Sequence, residues 1–237
     1  AAPWQRIRRA AQATDVDSAP AGTGHRPVVV RTEDLRITRR RQHRPGTTVF
    51  LVDASGSSAL HRMAEAKGAV ELLLAECYVR RDQVAVLAFR GAGAQVLLPP
   101  TRSLVRAKRQ LAALPGGGGT PLASGIEAAR ELCLQISRRG DAPTLVLLTD
   151  GRANIAADGG PGRERATADA HAAAGRLREQ GLSALLIDTS PQPGESARVL
   201  AQRMGARYLA LPHAGASSLA QAVQQALAQR PGGHTTI

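Results

Sequence analysis

The sequence predicts an α/β fold of the doubly wound kind: a mostly parallel sheet with one antiparallel edge strand and helices on both faces. Three observations carry this expectation. From Thr48 onward, short apolar runs rich in Val and Leu alternate with longer Ala-rich stretches that follow the three-and-four step of a helix. The apolar runs end on polar residues, as buried strands do where they emerge at the edge of a parallel sheet. One pair of runs is separated only by Arg90-Gly91-Ala92-Gly93, too short for a crossover helix, so that pair closes as an antiparallel hairpin at the sheet edge.

The elements follow in order. The first strand is Thr48–Val52 (TVFLV), and it runs straight into Asp53. A helix is expected over 59–80, where Leu60, Met63, Ala64, Lys67, Val70, Leu73 and Leu74 mostly keep helical spacing and Ser58 is placed as N-cap. Gln83–Phe89 (QVAVLAF) and Ala94–Leu98 (AQVLL) make the hairpin. Helices over 104–113 and 122–138 precede the strand Thr144–Thr149 (TLVLLT). A helix over 164–180, the strand Ser183–Ile187 (SALLI), a helix over 195–204 and the strand Arg207–Leu211 (RYLAL) come next. The last helix is expected over 217–229, where Leu219, Val223 and Leu227 recur every four residues. The domain therefore spans 48–231. Residues 1–47 form a basic N-terminal arm or linker with short extended segments, and 232–237 a tail.

Composition narrows the function. Hydrophobic residues are 43% and aromatic ones 2%, so the core must be built mostly from Ala, Leu and Val. The net charge of +12 comes from 29 Arg and only two Lys, Lys67 and Lys108, a bias that a GC-rich genome also produces. With no zinc-finger spacing and no aromatic stacking platform, it does not argue for nucleic acid. The arm holds ten Arg against Asp15, Asp17, Glu33 and Asp34, a net of +6; it is either a solvated arm or a contact surface for an acidic neighbour. No run approaches the roughly 18 apolar residues of a membrane span. The opening residues Ala1–Arg9 (AAPWQRIRR) lack the apolar core of a secretion signal, and with no initial Met the chain reads as a piece of something longer. Cys77 and Cys133 are far apart and in no CxxC pair, which suits two buried thiols in a reducing compartment.

In such a sheet, sites form in the loops beyond the carboxyl ends of the strands. Three polar clusters fall there: Asp53-Ala54-Ser55-Gly56-Ser57; the loop Pro115–Pro121 (PGGGGTP) with Thr120; and Thr149-Asp150-Gly151. Asp53, Ser55, Ser57, Thr120 and Asp150 are hard oxygen donors with no His or Cys among them, a set suited to Mg²⁺, with Mn²⁺ or Ca²⁺ less so. Two carboxylates balance one divalent ion, and a small hard cation takes about six oxygens, so a position is left for water or an incoming carboxylate. Gly56 lets the chain turn sharply, and Gly116–Gly119 let the backbone carry Thr120 toward the others. Arg152 and Asn154, beside Asp150, are candidates for gripping an acidic partner, although Asn154 also suits a loop-shaping role. The Gly-rich loop 155–162 is flexible by composition and placed to rim the site. Asp188 ends a strand, where a capping role is the commoner one, and the six histidines form no metal set. Catalytic readings fail: Ser55 is in no nucleophile elbow, no Lys precedes Thr120 as in a phosphate loop, and Asp53 lacks the second Asp of a phosphoaspartyl site.

The five positions in this order resemble the metal-ion-dependent adhesion site of von Willebrand factor A (integrin I) domains. The resemblance implies that the two serines bind metal directly, that the threonine and aspartates bind it directly or through water, and that a partner's Asp or Glu completes the shell. Longer strings resemble the C-terminal domain of the magnesium chelatase D-subunit family: Phe50–Ala59, Ala66–Val70, Arg80–Gly91, Leu98–Arg109 and Leu114–Ser124. Ala1–Arg9 and Asp34–Arg39 are similar to the segment leading into that domain. What this resemblance implies is a metal-dependent docking module, not catalytic by itself, in a complex that inserts Mg²⁺ into protoporphyrin IX at the expense of ATP during chlorophyll and bacteriochlorophyll synthesis. It would hold Mg²⁺ (Mn²⁺ possible) and no nucleotide, and would engage an acidic side chain of the AAA+ motor subunit or the large porphyrin-binding subunit in a hetero-oligomer. The location implied is the bacterial cytoplasm, or the chloroplast stroma if plant-like. Two further readings are a cobalt chelatase subunit of cobalamin synthesis and an adhesion module unconnected with tetrapyrroles.

Overall fold

Val, Leu and Ile at successive positions, with no Pro or charge between them, leave a strand no polar face to turn to water. Such strands are stable only when both sides of their sheet are covered. The computed structural model of the chain realises that arrangement. It describes residues 46–55, 74–75, 77–114 and 116–211. The basic arm up to Pro45, most of the helix expected over 59–80, the helix expected over 217–229, the tail, and Ser57 with Ser58 and His61 lie outside the described residues. The elements are β1 (Gly46–Asp53), β2 (Gln83–Arg90), β3 (Gly93–Thr101), α1 (Leu104–Ala112), α2 (Leu122–Arg138), β4 (Ala142–Thr149), α3 (Arg163–Glu179), β5 (Ser183–Asp188), α4 (Glu195–Met204) and β6 (Arg207–Ala210).

The six strands form one sheet in the order β3-β2-β1-β4-β5-β6, parallel throughout except for the β2–β3 hairpin. The expected edge strand is there and is longer than its apolar run, continuing through Pro99 and Pro100 to Thr101. Proline cannot donate to a ladder, and an outer strand, as β3 is among the described residues, tolerates that loss. The pairing with β2 shifts register twice along the way.

Alternate residues of each strand enter opposite layers. Val49, Leu51, Leu87, Phe89, Leu145, Leu147 and Leu186 pack with buried residues of α2, α3 and α4. Phe50, Val52, Val84, Val86, Val146, Leu148 and Ile187 pack with Ala107 and Leu111 of α1, and with Leu74 and Cys77. Small side chains set the first layer's spacing, because α3 buries Ala166, Ala170, Ala173 and Ala174 and only one large residue, Leu177.

Both cysteines are buried, Cys77 with its Sγ 3.3 Å from Thr48 Oγ1. Burial pushes the Cys133 thiol up to about 12. At pH 8 its thiolate fraction is then roughly one in ten thousand. Native protein should therefore leave Cys133 unlabelled by iodoacetamide over hours, with labelling appearing only in denaturant. Rapid native labelling, read by mass spectrometry, would contradict the burial.

Strand order reverses between the parallel neighbours β1 and β4. From β1 the chain builds outward through β2 to β3, and from β4 outward through β5 to β6. The crevice beyond the carboxyl ends of β1 and β4 is the switch point, where helices lead away to opposite sides and leave an opening. Val52 pairs with Leu148 and Asp53 with Phe89, so Asp53 and Thr149 emerge side by side at that crevice.

Candidate metal centre

Asp53 is the last residue of β1, and its carboxylate organises the crevice. Its Oδ1 accepts from the backbone N–H of Ser55 at 3.0 Å and from the Ser55 hydroxyl at 2.6 Å. Its Oδ2 accepts from Thr149 Oγ1, at the end of β4, at 2.9 Å. The Thr120 hydroxyl, buried at the start of α2, donates to Ser55 Oγ at 2.7 Å. Loops 65 and 96 residues apart in sequence are thus joined through three oxygen-to-oxygen links.

The Gly-rich loop is held from several directions. Gly117 N–H donates to the Ala54 carbonyl at 3.0 Å. A Cβ on Gly119 would lie 2.4 Å from Ile155 Cγ1 and 3.0 Å from the Gly91 carbonyl oxygen, so only glycine fits between the hairpin turn and Ile155. Asn154 fixes Thr120 directly: its Oδ1 accepts the Thr120 N–H at 2.6 Å, while the N–H groups of Asn154 and Ile155 reach back to the Thr120 carbonyl at 3.3 and 3.4 Å.

Ser55, Thr120 and Asp150 line one cavity of about 620 Å³ together with Gly118, Gly151, Arg152 and Ala153 and with residues of α3 and α4. Asp53 does not line it and meets it through Ser55. Four of the five sequence-expected donors therefore share one place, and Ser57 lies outside the described residues. Burial raises the Asp53 carboxyl above its ordinary range; the Ser55 and Thr149 hydrogen bonds oppose that shift, and the charge of Asp150 adds to it. Among the described residues no three His, Cys, Asp or Glu side chains group as a metal site, so the donors here are two carboxylates and hydroxyls. That set suits a hard cation in type. Metal–oxygen bonds of about 2.1 Å at right angles put neighbouring oxygens about 3 Å apart; the donor pairs Asp53–Ser55 and Ser55–Thr120 stand 2.6 and 2.7 Å apart, near enough to share one ion.

Arg152 is exposed on the cavity, and its backbone N–H donates to Asp150 Oδ1 at 3.0 Å. The loop 155–162 departs from its expectation. It does not line the cavity, and it is pinned by a bridge between Ile155 and Pro161, by Asp169 accepting the Ala157 N–H at 2.8 Å, and by an Arg165–Asp158 ion pair at 2.7 Å. Asp188 closes its own end of β5: fully buried, it accepts from the N–H and hydroxyl of Ser190, from Gly194 N–H at 3.3 Å and from the Tyr208 hydroxyl at 2.7 Å. Burial, with the bond to Asp188, pushes the Tyr208 phenol up to about 12. Sequence reasoning missed Thr149 and the cavity walls on α3 and α4. Thr149 belongs to the third polar cluster, but as a polar residue ending a buried strand it carried no sign of a role of its own. The walls had no local signal.

Residues 48–152 match the von Willebrand factor type A domain family. The chain is 51% identical over 227 residues to the magnesium-chelatase 60 kDa subunit of Cereibacter sphaeroides, covering 96% of the chain and 39% of that protein. It is 42% identical over 234 residues to the magnesium-chelatase 67 kDa subunit of Chlorobaculum parvum, covering 94% of the chain and 36% of that subunit. The chain thus spans well under half the length of these relatives. Among solved structures, the vWF domain of the type V pili tip protein Mfa5 from Porphyromonas gingivalis superposes with a TM-score of 0.60 at 13% identity, covering 81% of the chain and 98% of that domain. Among the described residues, no helix is long and apolar enough to cross a membrane.

Proposed function

The chain belongs to the von Willebrand factor type A family, as a homologue of the magnesium-chelatase 60 and 67 kDa (D) subunits, and from that premise we propose that it is a metal-dependent protein-docking domain of a magnesium chelatase. In this reading Asp53, Ser55, Ser57, Thr120 and Asp150 hold a Mg²⁺ or Mn²⁺ ion, directly or through water. Its open position takes an Asp or Glu of a sister subunit, either the AAA+ motor or the large porphyrin-binding subunit. The domain supports ATP-driven insertion of Mg²⁺ into protoporphyrin IX without binding nucleotide itself. The inserted Mg²⁺ is cargo and is distinct from the ion at this site. When bound, the resident ion supplies a positive charge that a partner carboxylate can complete.

The observation that carries this reading is the chain of contacts Asp53–Ser55–Thr120, with Asp150 on the same cavity. The protein's own groups do the positioning. Thr149 holds Asp53, and Asn154 holds the Thr120 backbone so that its hydroxyl faces Ser55. Asn154 positions Thr120 and, like Arg152, is exposed on the cavity, so it also keeps its candidacy as a partner contact. Arg152 keeps its assignment as a partner contact because it stands exposed on the cavity.

The test pairs two measurements on this chain and on Thr120→Ala. Mn²⁺ affinity, read by electron paramagnetic resonance, should fall about tenfold on losing one oxygen donor. Co-purification with the two sister subunits should be lost with chelator and weakened in the variant. Association that is undiminished both by chelator and by the substitution sinks metal-bridged docking.

A further inference from the structure

The cavity at the candidate metal centre continues as a groove between α3 and α4. Arg163, Thr167 and His171, four residues apart on α3, line one wall; Glu195, Ser196 and Val199 of α4 line the other. None of these is needed to hold an ion. Arg152 and Arg163 are both exposed, and neither makes an ion pair among the described residues. His171 is half-buried, and burial together with the charge of Arg203 lowers its pKa, so at neutral pH it offers hydrogen bonds rather than charge. On α3 the charge thus sits at the Arg163 end, while His171 at the other end is neutral with Arg203 of α4 near it; Glu195 is the only carboxylate on the α4 wall.

We infer that this groove seats an extended acidic segment of the partner protein. One carboxylate reaches the ion, and a second, within about four residues of it, is held by Arg163. The cavity limits the spacing: Arg163 and the donors Ser55, Thr120 and Asp150 line one space of about 620 Å³, roughly 10 Å across if compact, the reach of about three to four extended residues. The inference rests on the docking reading above and adds what that reading lacks, a source of selectivity. Any exposed Asp or Glu can complete a metal shell. A second acid gripped by a planar guanidinium, at a fixed distance from the first, separates one partner from the many. Glu195 on the opposite wall disfavours a third acid there, which sets the direction of charge along the segment.

The probes are synthetic octapeptides of Ser and Ala with one central Asp, and a series carrying an additional Glu two, three or four residues to either side. Binding is read by fluorescence anisotropy in Mg²⁺, with and without chelator, to this chain and to Arg163→Glu. Arg163 is an exposed first-turn residue, where Glu suits the helix dipole, so the variant should fold. At least one two-acid peptide should bind at least about tenfold tighter than the one-acid peptide. Arg163→Glu should erase that gain, leave Mn²⁺ affinity within about twofold, and instead favour a peptide with Lys at the second position. Equal affinity of all peptides for the parent chain, or a gain that persists in Arg163→Glu, overturns the groove. Binding that is chelator-sensitive yet blind to the second acid overturns the groove alone. Binding indifferent to chelator overturns the docking reading and the groove with it.

Discussion

Asp53→Ala should abolish saturable Mn²⁺ binding, weakening it by at least about 100-fold, equivalent to about 2.7 kcal/mol. Two carboxylates balance the charge of a divalent ion, and this substitution removes one. Two unit charges about 4 Å apart at a protein surface attract by about 4 kcal/mol at an effective dielectric near 20, so the expected loss is a fraction of the available attraction. The second consequence is geometric. Asp53 accepts from Ser55 twice and from Thr149 once, so its removal frees the Ser55 hydroxyl from its place beside Thr120. The metal would lose one ligand outright and the preorganisation of two more. Asp158→Asn, an exposed carboxylate paired with Arg165, is the control and should leave Mn²⁺ affinity unchanged. A circular dichroism spectrum like that of the parent chain shows that the fold survives. If Asp53→Ala then binds Mn²⁺ within about threefold of the parent, the ion does not sit here.

What could be read in advance depended on whether the information was local. Each central strand announced itself because β1, β2, β4 and β5 are buried on both faces and so carry an uninterrupted apolar run, VFLV, VAVLAF, LVLL and ALLI. Asp53, Thr120 and Asp150 were legible because each sits next to such a run or to a Gly-rich loop. The length of β3 was not, since Pro99 and Pro100 signal a break and only the edge position makes them harmless. Asn154 was ambiguous because its task, accepting the Thr120 N–H, joins residues 34 apart. The groove walls were invisible for the same reason: Arg163 and Glu195 are ordinary first-turn residues until α3 and α4 are packed side by side. Composition alone does not show that loop 155–162 contacts Asp169 and Arg165 and does not line the cavity.

Gly151→Ala should cost about 4 kcal/mol of stability, from two sources that a paired substitution separates. Gly151 has φ +74°, where a side chain costs about 1–2 kcal/mol. Its Cβ would also lie 2.5 Å from the backbone N and Cα of Ala197, which belong to the first turn of α4. Backbone cannot rotate out of the way as a side chain can, so α4 must shift, and overpacking of this kind adds about 1–3 kcal/mol. Gly159 has φ +85° with nothing within 4 Å of its would-be Cβ. Gly159→Ala therefore carries the conformational cost alone, about 1–2 kcal/mol. Urea unfolding of both variants, with unchanged slopes, gives the difference directly. A shift of α4 also moves Glu195 and Ser196, one wall of the groove, away from the Asp150 loop. Gly151→Ala should then weaken two-acid peptide binding even below the temperature at which it unfolds, whereas Gly159→Ala should not. Equal destabilisation by the two substitutions would mean that the close approach of the Asp150 loop to α4 does not exist, and that the groove is not shaped by it.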